Sequence, residues 1–233
     1  MADYSYVGKN YRELLDEINQ AAKKRGTEVT LVAVTKSGSD EELLALCEAG
    51  VTDIGENRPQ QLKRRGDLLR EMGYTPSLHE IGSLQRNKVK MIIDNVALIH
   101  SLDSLSLAEE ISRQACRVGR RVPVLMEINS AKEEQKGGIL PEEAESFFLK
   151  VRELPGIAVQ GLMTMGPALD DAELLRPYFK LTKELFDRLG STYGFEGCGI
   201  LSMGMSDSYA VAIEEGATLV RVGRKIFVNH SEQ

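Results

Sequence analysis

The residues best placed to do chemistry lie at the ends of apolar runs. Lys36 follows LVAVT (31–35), a run that reads as buried, and small turn-forming residues come after it. A lysine there is costly unless something pairs with it or uses it. Late in the chain, LSMGMSD (201–207) offers the Ser202 hydroxyl, a glycine that lets backbone approach a ligand, and then a helix start. RVGRK (221–225) offers Gly223, Arg224 and nearby backbone amides. Backbone donors at a helix start suit an anion. On a purely structural reading these glycines permit tight turns, and Lys36 snorkels to a rim. An amine opposite two anion-binding loops points instead to a phosphate-bearing carbonyl compound held as a Schiff base, pyridoxal phosphate among them.

Arg221 adds a discriminating point. With strand alternation it shares a face with Leu219 and Gly223, and so points between the lysine and the phosphate loops. An arginine stays charged. Beside a pyridine nitrogen it disfavours protonation and leaves the ring a poor electron sink. The structural alternative is an ion pair with a carboxylate such as Glu80 or Glu127.

Such groups need a frame that gathers strand ends. Residues 4–24 carry a helical stripe of Val7, Leu14, Leu15 and Ile18. Strands are predicted over 29–36, 52–57, 78–83, 98–104, 122–129, 157–165, 199–205 and 218–223, mostly as unbroken apolar runs of the kind covered on both faces. Helices are predicted between them, over 39–50, 59–71, 86–93, about Leu107 to Val118, 141–151, 171–189 and 206–217. The alternation predicts one domain over residues 1–233, a single (β/α)8 TIM barrel with an extra N-terminal helix. An open doubly wound sheet would carry a Gly-rich phosphate loop after its first strand, where KSGSD has one glycine. In a barrel, function gathers at the C-terminal strand ends. Those ends are expected to hold Lys36, Glu56 and Asn57, Gly82 and Ser83, Asn129, the run Met163 to Met165, Ser202 and Gly204, and Arg221, Gly223 and Arg224.

Composition narrows the classes. The chain has 233 residues, a net charge of −6 and 27% charged residues. That acidity argues against nucleic acid as a partner. The basic runs LKRRGDLLR (62–70) and RVGRR (117–121) read as solvated helix faces. Cys47, Cys116 and Cys198 show no paired spacing, which predicts reduced and mostly buried thiols and no metal site. Neither a signal-like N-terminus nor a run of membrane-spanning length is present, so a cytoplasmic protein without a membrane partner is expected.

The sequence resembles the pyridoxal-phosphate homeostasis protein family, which is related in fold to the N-terminal barrel of alanine racemase. The matching stretches are VAVTKSGS, DIGENRPQQ, LHEIGSLQRNKVK, IHSLDS, INSAKEEQKGGI, GLMTM and LSMGMSDSYAVAIEEGATLVRVGRKIF, within residues 32–227. The resemblance implies a monomer with pyridoxal 5′-phosphate on Lys36. It also implies phosphate contacts from the Ser202 region, Gly223 and Arg224, Arg221 near the pyridine nitrogen, and Asn57 near the ring. The implied role is storage and delivery of the vitamin B6 cofactor, with apo enzymes that use pyridoxal phosphate as candidate recipients and no firm catalytic residue. Three positions depart from the pattern. Arg224 stands where a small hydroxyl residue is usual, Ser83 where histidine or proline is common, and Val228 where glycine follows the final phenylalanine.

Two other classes compete with a carrier. An amino-acid racemase needs proton donors and acceptors on both faces of its substrate. Lys36 serves one face. Alanine racemase takes a tyrosine for the other from a separate domain, which a chain ending at Gln233 is not expected to have. Tyr209 is the one candidate near the mouth, and it reads as helix packing. A phosphosugar barrel enzyme would use the same loops without a coloured ligand. Of the remaining residues, His79 reads as a core or supporting residue, and Met163, Met165, Met203 and Met205 as pocket walls. Lys136, in the glycine-flanked loop 129–138, reads as a solvated lysine or as an amine that receives the ligand's aldehyde during release.

Overall fold

The computed structural model describes residues 3–133 and 135–229. Helix α1, Ser5–Arg25, comes first and ends on Gly26, whose φ of 73° gives the left-handed turn that a residue with a side chain resists. Eight strands follow: β1 Thr30–Val34, β2 Asp53–Glu56, β3 Ser77–Glu80, β4 Leu98–Leu102, β5 Val122–Glu127, β6 Ile157–Met163, β7 Ile200–Ser202 and β8 Leu219–Val222. They pair in parallel and in chain order, and β8 closes on β1. The helices between them are α2 Asp40–Glu48, α3 Pro59–Glu71, α4 Leu105–Arg117, α5 Ala144–Val151, α6 Arg176–Tyr193 and α7 Tyr209–Glu214. The stretch expected as a helix over 86–93 is a 3-10 helix, Arg86–Met91, and a second 3-10 turn, Ala172–Leu175, leads into α6 at Pro177.

Local chemistry sets the boundaries. Ser39 caps α2 by accepting from the Glu42 amide while Glu42 accepts back from the Ser39 amide, a reciprocal capping box. Pro59 opens α3, where its missing N–H costs nothing.

Two apolar regions hold the layers together. The larger lies between barrel and helices and includes Leu31, Ile54, Leu78, Ile99, Leu162, Leu201 and Val220 from the strands. The smaller fills the barrel itself with Val32, Leu98, Leu125, Met163 and Leu219. Period-two alternation sends neighbours on one strand to these two regions, so Leu219 and Arg221 both turn inward. Gly161, with φ of 153°, sits where β5 and β6 change register. A Cβ there would lie 1.9 Å from the Ile200 carbonyl oxygen.

Among the described residues no helix is long and apolar enough to cross a membrane. Of the cysteines only Cys47 is buried; Cys116 and Cys198 are exposed, against the expectation of mostly buried thiols. Cys116 lies on the outward side of α4, where its neighbour Ala115 takes the core-facing position.

Candidate functional site

β1 stops at Val34, two residues before Lys36. Thr35 makes the last ladder bond, its amide donating to the Gly55 carbonyl at 3.1 Å, and the chain then turns as the Gly38 amide bonds back to Thr35. Lys36 is therefore an exposed residue of the mouth, not the buried end of a strand. The turn is held from below. Arg65 of α3 donates to the carbonyls of Thr35 and, at 2.5 Å, Gly38, the two residues that flank Lys36 and Ser37. Its charge is met by Glu56 at 2.5 Å, and Glu56 also accepts from the Thr35 hydroxyl at 2.5 Å. Arg65 belongs to the run expected to be a solvated face. It is 3% exposed, while Lys63, Arg64 and Arg70 beside it face solvent. Only one face of α3 meets the barrel, and Arg65 is on it with Leu62 and Leu69.

Glu80 pairs in register with Glu56 and shares its outward side. Burial, opposed by a bond from the Gly82 backbone and reinforced by the Glu56 charge, pushes its carboxyl up to about 8. No side-chain partner meets either oxygen of Glu80 among the described residues. Arg221 therefore has no pairing with Glu80, which lies on the other face of the barrel wall.

Arg221 is buried inside the barrel. It donates to the Ser202 hydroxyl and, at 3.1 Å, to the Thr164 carbonyl. None of the ion pairs among the described residues includes it. Burial lowers its pKa to about 10, with partial relief from Glu127. Glu127 ends β5, and burial, with the Asp103 charge adding and Arg221 opposing, pushes it up to about 7. In register Arg221 lies beside Val32, on the strand that leads to Lys36.

Ser202 ends β7, and its hydroxyl is taken up by Arg221 and by His100 Nδ1 at 3.0 Å. It faces into the barrel. Ser206 is also buried, but among the described residues its hydroxyl has no partner. The amides of Ser206, Asp207, Gly223 and Arg224 likewise lack an acceptor among the described residues. These groups are unengaged donors that the two loops present at the mouth. The Arg224 side chain turns away to Asp207 and ties the loop after β8 to the loop after β7. Gly223 has a second reason to be glycine, because a Cβ there would lie 2.6 Å from the Val34 carbonyl oxygen.

The other expected residues divide. Asn57 follows β2 and is exposed at the mouth, its carbonyl packed against Gly82. Asn129 lies beyond the end of β5 and braces the loop 129–138 by donating to Glu133 at 2.9 Å and accepting from the Glu133 amide at 3.1 Å. In the same loop Lys136 pairs with Glu133 at 2.7 Å. Met163 and Met203 are buried, whereas Met165 and Met205 are exposed at the mouth. Tyr209 donates to Glu17 of α1 and carries the Lys225 ammonium 4.8 Å above its ring, so it binds the helices to one another. His79 is inward and bonded to His100 and Asp53. The sequence reading passed over Arg65, His100 and Asp53. His79, His100, Ser202 and Arg221 are each the third residue of a strand, an alignment that the strand bounds expected from the sequence do not show.

Residues 10–230 match the family model of the alanine racemase N-terminal domain. A pyridoxal phosphate homeostasis protein of Aquifex aeolicus is 39% identical over 217 residues, covering 92% of this chain and 94% of that protein. PipY of Synechococcus elongatus, solved with PLP bound, superposes with a TM-score of 0.82 at 26% identity, over 95% of this chain and 100% of that one. An alanine racemase of Clostridium difficile shares the fold alone, with a TM-score of 0.73 at 19% identity over 95% of this chain and 56% of that one.

Proposed function

Since the chain belongs to the alanine racemase N-terminal domain family, alongside the pyridoxal phosphate homeostasis proteins, we propose that it binds pyridoxal 5′-phosphate in the barrel mouth and serves cofactor homeostasis. One observation carries the reading. A buried guanidinium with no carboxylate partner sits inside a mouth whose rim presents an exposed lysine on one side and unpaired amides on the other. A buried charge needs a polar counterpart, and a pyridine nitrogen is one that an arginine can face without protonating it.

In this reading the amides of Ser206, Asp207, Gly223 and Arg224 and the Ser206 hydroxyl hold the phosphate. Lys36 condenses with the aldehyde, releasing water and forming a C=N bond. Arg221 takes the pyridine nitrogen, and Asn57 lies beside the ring. Ser202 supports Arg221 from below instead of touching phosphate. Pyridoxal phosphate supplies an aldehyde and an electron-accepting ring, and Arg221 weakens the second of these. The Tyr209 hydroxyl, engaged by Glu17, is not free to act as an acid or base, which favours a carrier over a racemase. The proposed role is cytoplasmic storage by a monomer and delivery to apo enzymes.

Protein mixed with pyridoxal phosphate should turn yellow, and borohydride should fix the ligand to the peptide that contains Lys36. Lys36→Ala should abolish both. A label on another lysine refutes the Schiff-base assignment, and an uncoloured protein refutes the function. For delivery, the loaded chain is mixed with an apo enzyme. Recovery of activity no faster than with free cofactor, or rapid conversion of a single amino-acid enantiomer to its mirror form, overturns the carrier reading.

A further inference from the structure

A line of hydrogen bonds crosses the barrel beneath the mouth. It begins at Asp53, the first residue of β2 and hence at the N-terminal end of the barrel, where its side chain is 19% exposed. Asp53 Oδ1 meets His79 Nε2 at 2.9 Å, His79 Nδ1 meets His100 Nε2 at 3.0 Å, and His100 Nδ1 meets Ser202 Oγ at 3.0 Å. Arg221 closes the line by donating to Ser202. Five residues on β2, β3, β4, β7 and β8 thus share one path.

We propose that Asp53, His79 and His100 are positioning residues that act through Ser202 on Arg221, so that the bond direction fixed at the N-terminal end of the barrel sets the guanidinium in the mouth. That consequence for a bound ligand rests on the function proposed above; the relay itself does not.

The direction follows from donor counting. A carboxylate only accepts, so His79 presents Nε2–H to Asp53. His79 Nδ1 is then an acceptor, and His100 must donate from Nε2. His100 Nδ1 is left to accept the Ser202 hydroxyl proton, which frees the Ser202 oxygen to accept from Arg221. Every donor points toward Asp53, and each inner bond has one allowed sense. Burial, followed by the charge that His79 carries when protonated and by that of Arg221, keeps the His100 pKa well below the usual histidine range, so His100 stays neutral and transmits tautomer rather than charge. Asp53 remains a carboxylate. Burial works against its ionisation, but bonds from His79 and from Thr52 Oγ1 at 2.7 Å outweigh it and lower its pKa.

A proton placed on His79 reverses the line. Both of its ring nitrogens then donate, His100 must accept at Nε2 and donate from Nδ1, and the Ser202 hydroxyl proton is released to point elsewhere. No atom moves far, yet Arg221 now faces a hydroxyl that already accepts from His100. The titratable neighbours along the path are Tyr11 of α1, which senses the Asp53 charge, and Glu127 beside Arg221, with Asp103 behind it.

Nitrogen-15 spectra of the histidine rings and arginine side chains in the ligand-free full chain test this. Wild type should show His100 neutral with its proton on Nε2, and the Arg221 guanidinium signals should differ between samples whose His79 spectra show one ring proton and two. In Asp53→Asn an amide can donate as well as accept, so His100 should populate the Nδ1–H form and the Arg221 signals should move. In His100→Phe the Arg221 signals should no longer follow His79. His100 with its proton on Nδ1 in wild type, or Arg221 signals that stay in place in Asp53→Asn or still follow His79 in His100→Phe, overturn the proposal. Colour is not needed for any of these readings. A protein that fails to bind pyridoxal phosphate would defeat the proposed function and leave the relay to be judged by its own spectra. If wild type does colour, the pH midpoint of its visible band should shift in Asp53→Asn; an unmoved midpoint overturns the link to the ligand.

Discussion

Replacing Arg65 with methionine should be among the costliest single changes in the protein. The side chain is 3% exposed, and its guanidinium meets Glu56 and the carbonyls of Thr35 and Gly38. Arg65→Met leaves the Glu56 carboxylate, itself 1% exposed, with the Thr35 hydroxyl as its remaining partner. Breaking a buried pair in this way costs about 3–5 kcal/mol. For a chain of this size each kcal/mol moves Tm by roughly 2–4 °C, so a drop of roughly 6–20 °C is expected. Removing both partners is milder, since two apolar or neutral groups leave no buried charge. Arg65→Met with Glu56→Gln should therefore recover most of the lost stability. It should not recover ligand capture, because the Lys36 turn still lacks the donor that bridged its two carbonyls. Thermal and urea melts measure the first effect, and borohydride trapping at limiting pyridoxal phosphate measures the second. A single variant that loses less than about 1 kcal/mol, or a double variant no more stable than the single, would refute the buried-pair reasoning. Full trapping by the double variant would refute the clamp.

Glu80 gives a pH prediction. Its folded pKa of about 8 lies above the ordinary 4.5, so the folded chain retains a proton that the unfolded chain has released. Its favourable contribution is complete below about 4.5 and is lost as pH rises toward 8, at up to about 1.4 kcal/mol per pH unit. Glu80→Gln should flatten that part of the stability curve, and a curve of unchanged slope from pH 5 to 8 counts against it. Gly223→Ala should cost about 1–3 kcal/mol in melts, because the atom 2.6 Å from its Cβ is backbone of β1 and cannot swing aside. Arg221→Glu should shift the visible band of the loaded protein and favour a protonated ring nitrogen; an unchanged band places the guanidinium away from the ring. Lys136→Ala should leave release of the ligand to an apo enzyme unchanged if the Glu133 pair is its whole role, whereas slower release would establish a transfer function.

The barrel was legible because parallel strands buried on both sides must be apolar throughout, and eight such runs stand out from the helices between them. Strand ends were harder. Hydrophobicity continues to Thr35, but pairing ends where the neighbouring strand ends, and that placed Lys36 on a rim rather than in a wall. Arg65 was hidden for a different reason. A run of basic residues looks alike whether or not one member turns inward, and its partner Glu56 is recognisable only when β2 and α3 are packed together. Loop glycines mark two turns of a kind that suits an anion, but not which nearby hydroxyl stays unengaged. Ser202 and Ser206 differ in whether an arginine and a histidine from other strands reach the hydroxyl, a fact that belongs to the closed barrel. The histidine line was obscured by distance along the chain, since no two of its members lie on one strand.

The apolar cluster of Val32, Leu98, Leu125, Met163 and Leu219 fills the barrel, and each ring nitrogen of His79 and His100 is bonded within the protein. A drained mouth therefore exposes no dry void and strands no imidazole. Folding does not have to wait for cargo. Loading should add only the mass-action increment, about 2.7 kcal/mol when free ligand is a hundred times its dissociation constant. Proteases and heat should discriminate between full and empty forms by that margin and no more. On the proposed carrier reading, such walls let the protein pass through repeated cycles of filling and emptying, and its cellular abundance can stay constant while the cofactor supply rises and falls.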